Sequence, residues 1–298
     1  GGEFRFNVWS QIRVTSSDAS ARARPVAAAG RSHAWFACAV HFVGIDLAWA
    51  DRNRTGVAVL DEAGRLSTCR SVVTDADLGA ALPTAGRGLV VAIDAPLIVR
   101  NETGQRRCEK RVSLLFGHAN ASAHTSNSSR PHFRPEPRGA RLARQYGWDM
   151  DPHNRPSEST SVCIEVYPHP AMVVLFGLDR VIHYKAKSGR DIEFLRAQHL
   201  ILLDHMERTC GPLLRLDESD DWARIRDGVW SATRKVDLRV VEDQVDAVLC
   251  AFLAWKWTYE REAMQVLPED HDGISDESLD QGYIVTPAAR QPRIRAGR

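Results

Sequence analysis

The stretch Phe42-Val-Gly-Ile-Asp-Leu-Ala-Trp49 decides how the rest of the chain is read. Apolar residues and a Gly lead into Asp46, and a second apolar run, Thr55-Gly-Val-Ala-Val-Leu60, follows a short polar gap. β-Branched residues bounded by turn formers predict buried strands over Phe42–Leu47 and Thr55–Leu60. Asp46 then lies in, or at the end of, a core strand. An unpaired buried carboxylate is costly, so something cationic is expected to meet it there. On position alone, a strand-end Asp bonded to loop amides explains it equally well.

Working outward, Asp61-Glu-Ala-Gly64 predicts a turn into a strand over Arg65–Val73. Three strands with such short connections form an antiparallel meander. A helix follows at Asp75–Leu82, with Thr74 or Asp75 as N-cap. Gly88-Leu-Val-Val-Ala-Ile-Asp94 is an unbroken apolar run ending in a second Asp, the pattern of a central strand covered on both faces. Ser161–Tyr167 predicts the next strand, with Glu165 inside an apolar frame and Pro168-His169-Pro170 as its stop. Helices are predicted at Ala171–Leu178, Ile192–Thr209 and Trp222–Trp230.

Val240–Arg261 has the strongest helical pattern, with Val245, Val248, Leu249, Phe252, Leu253 and Trp257 at i, i+3, i+4 spacing. Glu242, Asp243 and Asp246 lie on its first turns. Asp243 and Asp246, three apart, share one side; acids there are also favoured by the helix dipole. Ala247, Ala251 and Ala254 allow close packing on a sheet. Gly282–Val285 is a short strand-like piece.

The totals set bounds. In 298 residues the net charge is +1, so attraction to an anion must be local. Six scattered cysteines without a C-x-x-C argue against a zinc site or disulfide framework; they fit a reducing, cytoplasmic setting. No apolar run reaches the roughly 20 residues of a membrane helix, so no membrane partner is expected. Residues 1–40, rich in Ser, Ala and Arg after residue 10, read as a disordered or expression-derived tail. Residues 41–290 read as one domain with an insertion at about 100–160, and 291–298 as a basic tail.

Ten Lys and Arg residues but three acids fall between residues 100 and 145. The middle, Ala119–Arg138, is full of Ser, Asn, His and Pro, which predicts a flexible loop. Two readings stand: a solvated insertion, or a basic flap that holds a polyanion.

Four apolar elements thus carry carboxylates: Asp46, Asp94, Glu165, and Asp243 with Asp246. Acids gathered without balancing bases repel one another. A hard divalent cation relieves that, and oxygen-only ligands suit Mg²⁺ or Mn²⁺. Two such ions would activate a water and stabilise the leaving oxygen in phosphodiester cleavage.

The order of these elements resembles the ribonuclease H-like superfamily, and Val43-Gly-Ile-Asp46 resembles its first-strand motif. Asp243-x-x-Asp246-Ala247 resembles the last helix of Holliday-junction resolvases, which dimerise; a homodimer is therefore one expectation. Gly44-Ile-Asp-Leu-Ala-Trp49, Ile93-Asp-Ala-Pro-Leu97, Arg107-Cys-Glu109, Glu165-Val-Tyr-Pro-His-Pro170, Tyr184-Lys-Ala-Lys187 and Asp246-Ala-Val-Leu-Cys-Ala251 are together similar to domain-of-unknown-function family 429. That family is described as predicted nucleases of ribonuclease H-like fold. The resemblance implies an α/β, three-layer fold: a mixed five-stranded central sheet with helices on both faces and a basic insertion. It makes Asp46, Asp94 and Asp246 metal ligands, with Asp243 as their partner. Glu165 becomes a catalytic acid that serves as a ligand, or a group holding Arg107 or Lys185. Glu109 and Tyr184 would support the ligands from behind.

The function expected is a Mg²⁺- or Mn²⁺-dependent nuclease on DNA or RNA, with Arg106, Arg107, Lys110 and Lys185 steadying the phosphates. The alternatives are an actin-like nucleotide phosphotransferase or phosphohydrolase, weakened by the lack of a Gly-rich phosphate loop, and an inactive nucleic-acid-binding protein.

Overall fold

The computed structural model describes residues 40–83, 88–157, 159–268 and 280–289. The expectations for residues 1–39 and for the basic tail at 291–298 lie outside the described residues.

β1 (His41–Asp46), β2 (Thr55–Leu60) and β3 (Leu66–Val72) form the expected antiparallel meander. α1 (Asp75–Ala81) follows, opened by Thr74, whose side chain and Asp77 cap each other reciprocally. β4 (Leu89–Ile93) pairs parallel to β1, and β5 (Val162–Glu165) parallel to β4. The sheet is therefore mixed, five-stranded, and ordered β3-β2-β1-β4-β5.

Between β4 and β5 the expected loop, Ala119–Arg138, is irregular apart from two short 3₁₀ turns, but it is flanked by two helices the sequence did not announce, α2 (Arg107–Phe116) and α3 (Arg138–Tyr146). The composition between the two strands misleads because two of the arginines, Arg106 and Arg138, are buried. Ser126 and Asn127 are buried as well, and the Ser126 amide donates to Glu109 Oε2 at 3.1 Å.

α4 (Pro168–Phe176) begins at the Pro-His-Pro segment that ends β5, because Pro suits the first turn of a helix. α5 (Ile192–Thr209), the short α6 (Gly211–Leu214) and α7 (Asp220–Ser231) lead to α8 (Lys235–Tyr259). β6 (Met264–Leu267) and β7 (Ile284–Pro287) make a separate antiparallel pair; the sequence pointed to β7 and not to β6.

α8 starts five residues before the predicted position, because Arg234 and Asp237 cap it with a polar turn. Every residue from Val245 to Ala254 is buried. A helix apolar all round is a core helix. It lies between the sheet on one side and α5 and α7 on the other.

Two glycines seat α8 on the sheet. A Cβ on Gly44 would stand 2.0 Å from the Ala247 carbonyl oxygen and 2.1 Å from the Ala251 amide. A Cβ on Gly56 would stand 1.8 Å from the Asp243 carbonyl oxygen. Gly44, and with it Asp46 two residues on, faces α8 by strand alternation. Val43, Ile45 and Leu47 point to the opposite face, where Gly139 of α3 packs on Leu47. Both faces of the sheet are thus covered.

Candidate active site

The geometry of the site follows from that packing. Asp46 ends β1 opposite Gly56 on β2, and Gly56 touches the backbone of Asp243. Asp94 follows β4 directly, its amide bonded to the Ile45 carbonyl at 2.8 Å. Both acids therefore stand at the carboxyl ends of adjacent parallel strands. One turn of α8 brings Asp246 to them.

Asp246 is fully buried. Its Oδ1 accepts the Tyr184 hydroxyl at 2.7 Å. Its Oδ2 lies 2.8 Å from Lys185 Nζ. Lys185 also lies 3.8 Å from Glu242. The cation expected to meet Asp46 is thus Lys185, one positive charge among Asp46, Asp94, Glu242, Asp243 and Asp246.

The imbalance appears in the acidities. Burial pushes Asp46 well above the usual carboxylate range; Lys185 opposes the shift, and Asp246, Asp94 and Asp243 add to it. Asp94 is pushed up to about 7 by burial, with Lys185 opposing and Asp246 and Glu165 adding. Asp243, half-buried beside Glu242 and Asp246, is also pushed to about 7 by its loss of solvent and then by those two acids, as is Glu242, first by burial, with Lys185 opposing and Asp246 adding. Burial alone would lower the Lys185 ammonium, but Asp246, Tyr184 and Asp46 hold it well above its ordinary value.

A second group lies beside this one. Arg106 is buried and grips Glu165 with both ends of its guanidinium, at 2.5 and 2.9 Å. Its Nε donates to Glu109 at 2.9 Å. Glu165 also accepts the Leu97 amide at 2.9 Å, which fixes the turn after Asp94. The partner of Glu165 is Arg106, not the Arg107 or Lys185 of the sequence reading. Arg106, expected among the phosphate-holding residues, is taken up by internal carboxylates. Arg107 and Lys110 are exposed on α2.

Three residues went unnoticed in the sequence. Tyr167 and His169 share a 3.1 Å hydrogen bond, and Tyr167 also donates to the Ser122 carbonyl. Burial and then Lys185 lower His169 well below the usual imidazole range. His124 stands edge-on to Trp49, with ring centroids 6.4 Å apart. The first two lie in the quoted Glu165–Pro170 segment; nothing local marks His124.

A divalent cation fits this site by its chemistry. The donors are all oxygen and the acids outnumber the bases, with the Lys185 ammonium seated on Asp246 Oδ2. As the side chains stand, no three His, Cys, Asp or Glu residues among the described residues are arranged to hold an ion. Lys185 occupies the approach to Asp246.

A family model described as a protein of unknown function, DUF429, matches residues 44–273. The chain belongs to the DUF429 family. The match runs from β1 to just beyond β6 and so takes in Asp46, Asp94, Glu165, Lys185 and Asp246. The family description assigns no activity to these DUF429 residues. No curated protein matches the chain, and no solved structure does. Among the described residues, no helix is long and apolar enough to cross a membrane.

Proposed function

We propose that the protein is a nuclease of ribonuclease H-like fold that uses Mg²⁺ or Mn²⁺ to cleave phosphodiester bonds in nucleic acid. The observation that carries this reading is the meeting of Asp46 and Asp94, at adjacent strand ends, with Asp246 on α8. The strand order, with a meander followed by two parallel strands, supports it.

Asp46, Asp94 and Asp246 would hold the ion, and Asp243 would join them. The bound ion would supply a water of lowered pKa and positive charge beside the scissile phosphate. The chain's own residues prepare the place. Gly44 and Gly56 fix the distance between α8 and the strand ends. Tyr184 holds Asp246 Oδ1, and Lys185 is seated on Oδ2, which an incoming ion would take over. Lys185 neutralises part of the acid charge and is placed to meet a phosphate oxygen. Arg106 fixes Glu165, and Glu165 holds the turn that presents Asp94.

The test is a panel of labelled single-stranded, duplex and branched DNA and RNA, incubated with Mn²⁺ or with EDTA. Cleavage that needs the metal and disappears in Asp46→Asn is expected. Cleavage indifferent to both would overturn the reading. No cleavage, together with an ATP-dependent thermal shift, would transfer the site to nucleotide phosphoryl transfer.

A further inference from the structure

Trp49, three residues after the end of β1, stands between two clefts. The first, of about 60 Å³, reaches Asp94 and is walled by Trp49, His124 and Tyr167 over Ala95 and Pro96. The second, of about 420 Å³, is lined by Trp49, Arg52, Arg134 and Arg141 together with the acids Asp51 and Glu136. A small hollow between them shares Trp49, Ala95 and Pro96 with the first and Trp49, His132 and Arg138 with the second. The three form one run of concave surface with Trp49 at its middle.

The charges change along that run. Arg52 and Arg134 are exposed in the outer cleft. Arg141 is balanced by Asp51 at 2.6 Å, and Arg138 is buried against Asp75 at 2.5 Å, so these two build the wall. The inner cleft ends at the acids. Trp49 itself is half-buried and held in place by Phe133, with ring centroids 5.1 Å apart. Exposed cations, then a fixed aromatic ring, then a small pocket is the arrangement that binds single strands: cations track the backbone and the ring stacks a base. In a duplex the bases are stacked inside and reach such a ring only by flipping out, at a cost.

We propose that this surface is the entry track for single-stranded nucleic acid. Backbone phosphates lie on Arg52 and Arg134, Trp49 stacks a base, and the strand leads from there past His124 and Tyr167 toward Asp94. The proposal rests on the nuclease reading and names its substrate class.

The experiment is fluorescence anisotropy with the full chain carrying Asp46→Asn, which removes cleavage from the readout. The probes are labelled 12-mers of single-stranded DNA, single-stranded RNA and the matching duplex. Single strands should bind about tenfold or more tighter than duplex, and Trp49→Leu should weaken them by about tenfold or more. Arg52→Glu with Arg134→Glu should weaken binding and flatten its salt dependence by about 0.7 in the log–log slope per lost phosphate contact. These two arginines are exposed, so their variants remain informative if Trp49→Leu does not fold. Duplex binding as tight as single-strand binding overturns the proposal, as does unchanged binding by the double arginine variant. Because the readout is binding, single-strand affinity without cleavage in the panel would sink the nuclease and leave the track. Duplex cleavage without single-strand affinity would do the reverse.

Discussion

Lys185 Nζ lies 2.8 Å from Asp246 Oδ2, and the aspartate is fully buried while a third of the lysine is open. One ammonium serves five acids, so it compensates the site only in part. Removing one partner of a buried ion pair costs about 3–5 kcal/mol, because the other charge is left uncompensated. Lys185→Met should therefore lower stability by about that much in EDTA, and Mn²⁺ should restore more of it than it adds to the wild type. Denaturant titrations with and without the metal check this. A variant as stable as the wild type in EDTA would remove Lys185 from the acid cluster.

Arg106 carries a structural prediction. It neutralises Glu165 and Glu109 inside the molecule. Arg106→Met should cost about 3–5 kcal/mol, and Arg106→Met with Glu165→Met should recover part of that, as coupled neighbours do. Wild-type stability with a loss confined to nucleic-acid affinity would return Arg106 to the phosphate-holding set.

Gly44→Ala should be poorly tolerated. Its Cβ would meet α8 backbone atoms at 2.0 and 2.1 Å, and a helix cannot yield there without lifting Asp246 from Asp46. Overpacking typically costs about 1–3 kcal/mol and sometimes more; loss at the upper end of that range, accompanied by loss of Mn²⁺ binding, is expected. Thermal melts and metal titration calorimetry read both. Undiminished Mn²⁺ affinity would show that α8 does not position the ligands.

The acidities predict a pH dependence with a definite sign. Asp94 is raised from 3.8 to about 7 on folding, so the folded state keeps its proton where the unfolded chain has released it. Stability is then lost as pH rises from about 4 to about 7 and levels off above. His169 acts oppositely: lowered in the fold, it takes stability away as pH falls below 6.5. Comparing wild type with Asp94→Asn in EDTA isolates the first effect. The variant should gain on the wild type as pH rises through that window, and Mn²⁺ should abolish the gain. Parallel curves would contradict the raised acidity.

Much of the frame was legible because strands and core helix announce themselves by what they bury. The apolar runs ending in Asp46 and Asp94, and the spacing that marks α8, depend on local pattern alone. The helices α2 and α3 escaped because Arg106 and Arg138, which a composition reading counts as surface charge, turn inward. Glu165 was given the wrong partner for a related reason: Arg106 and Arg107 are neighbours in sequence but leave the start of α2 in different directions. The position of Lys185 depends on a long connection folding back over α8, and no local pattern encodes that.

The central claim is that Asp46, Asp94 and Asp246 hold a divalent cation. The most direct measurement is a crystal structure of the protein with Mn²⁺, read by anomalous diffraction. The account predicts a peak between these three carboxylates, about 2.0–2.3 Å from their oxygens as hard divalent ions require, with Lys185 moved off Asp246. An empty site with Lys185 still seated on Asp246 at saturating Mn²⁺ would contradict it.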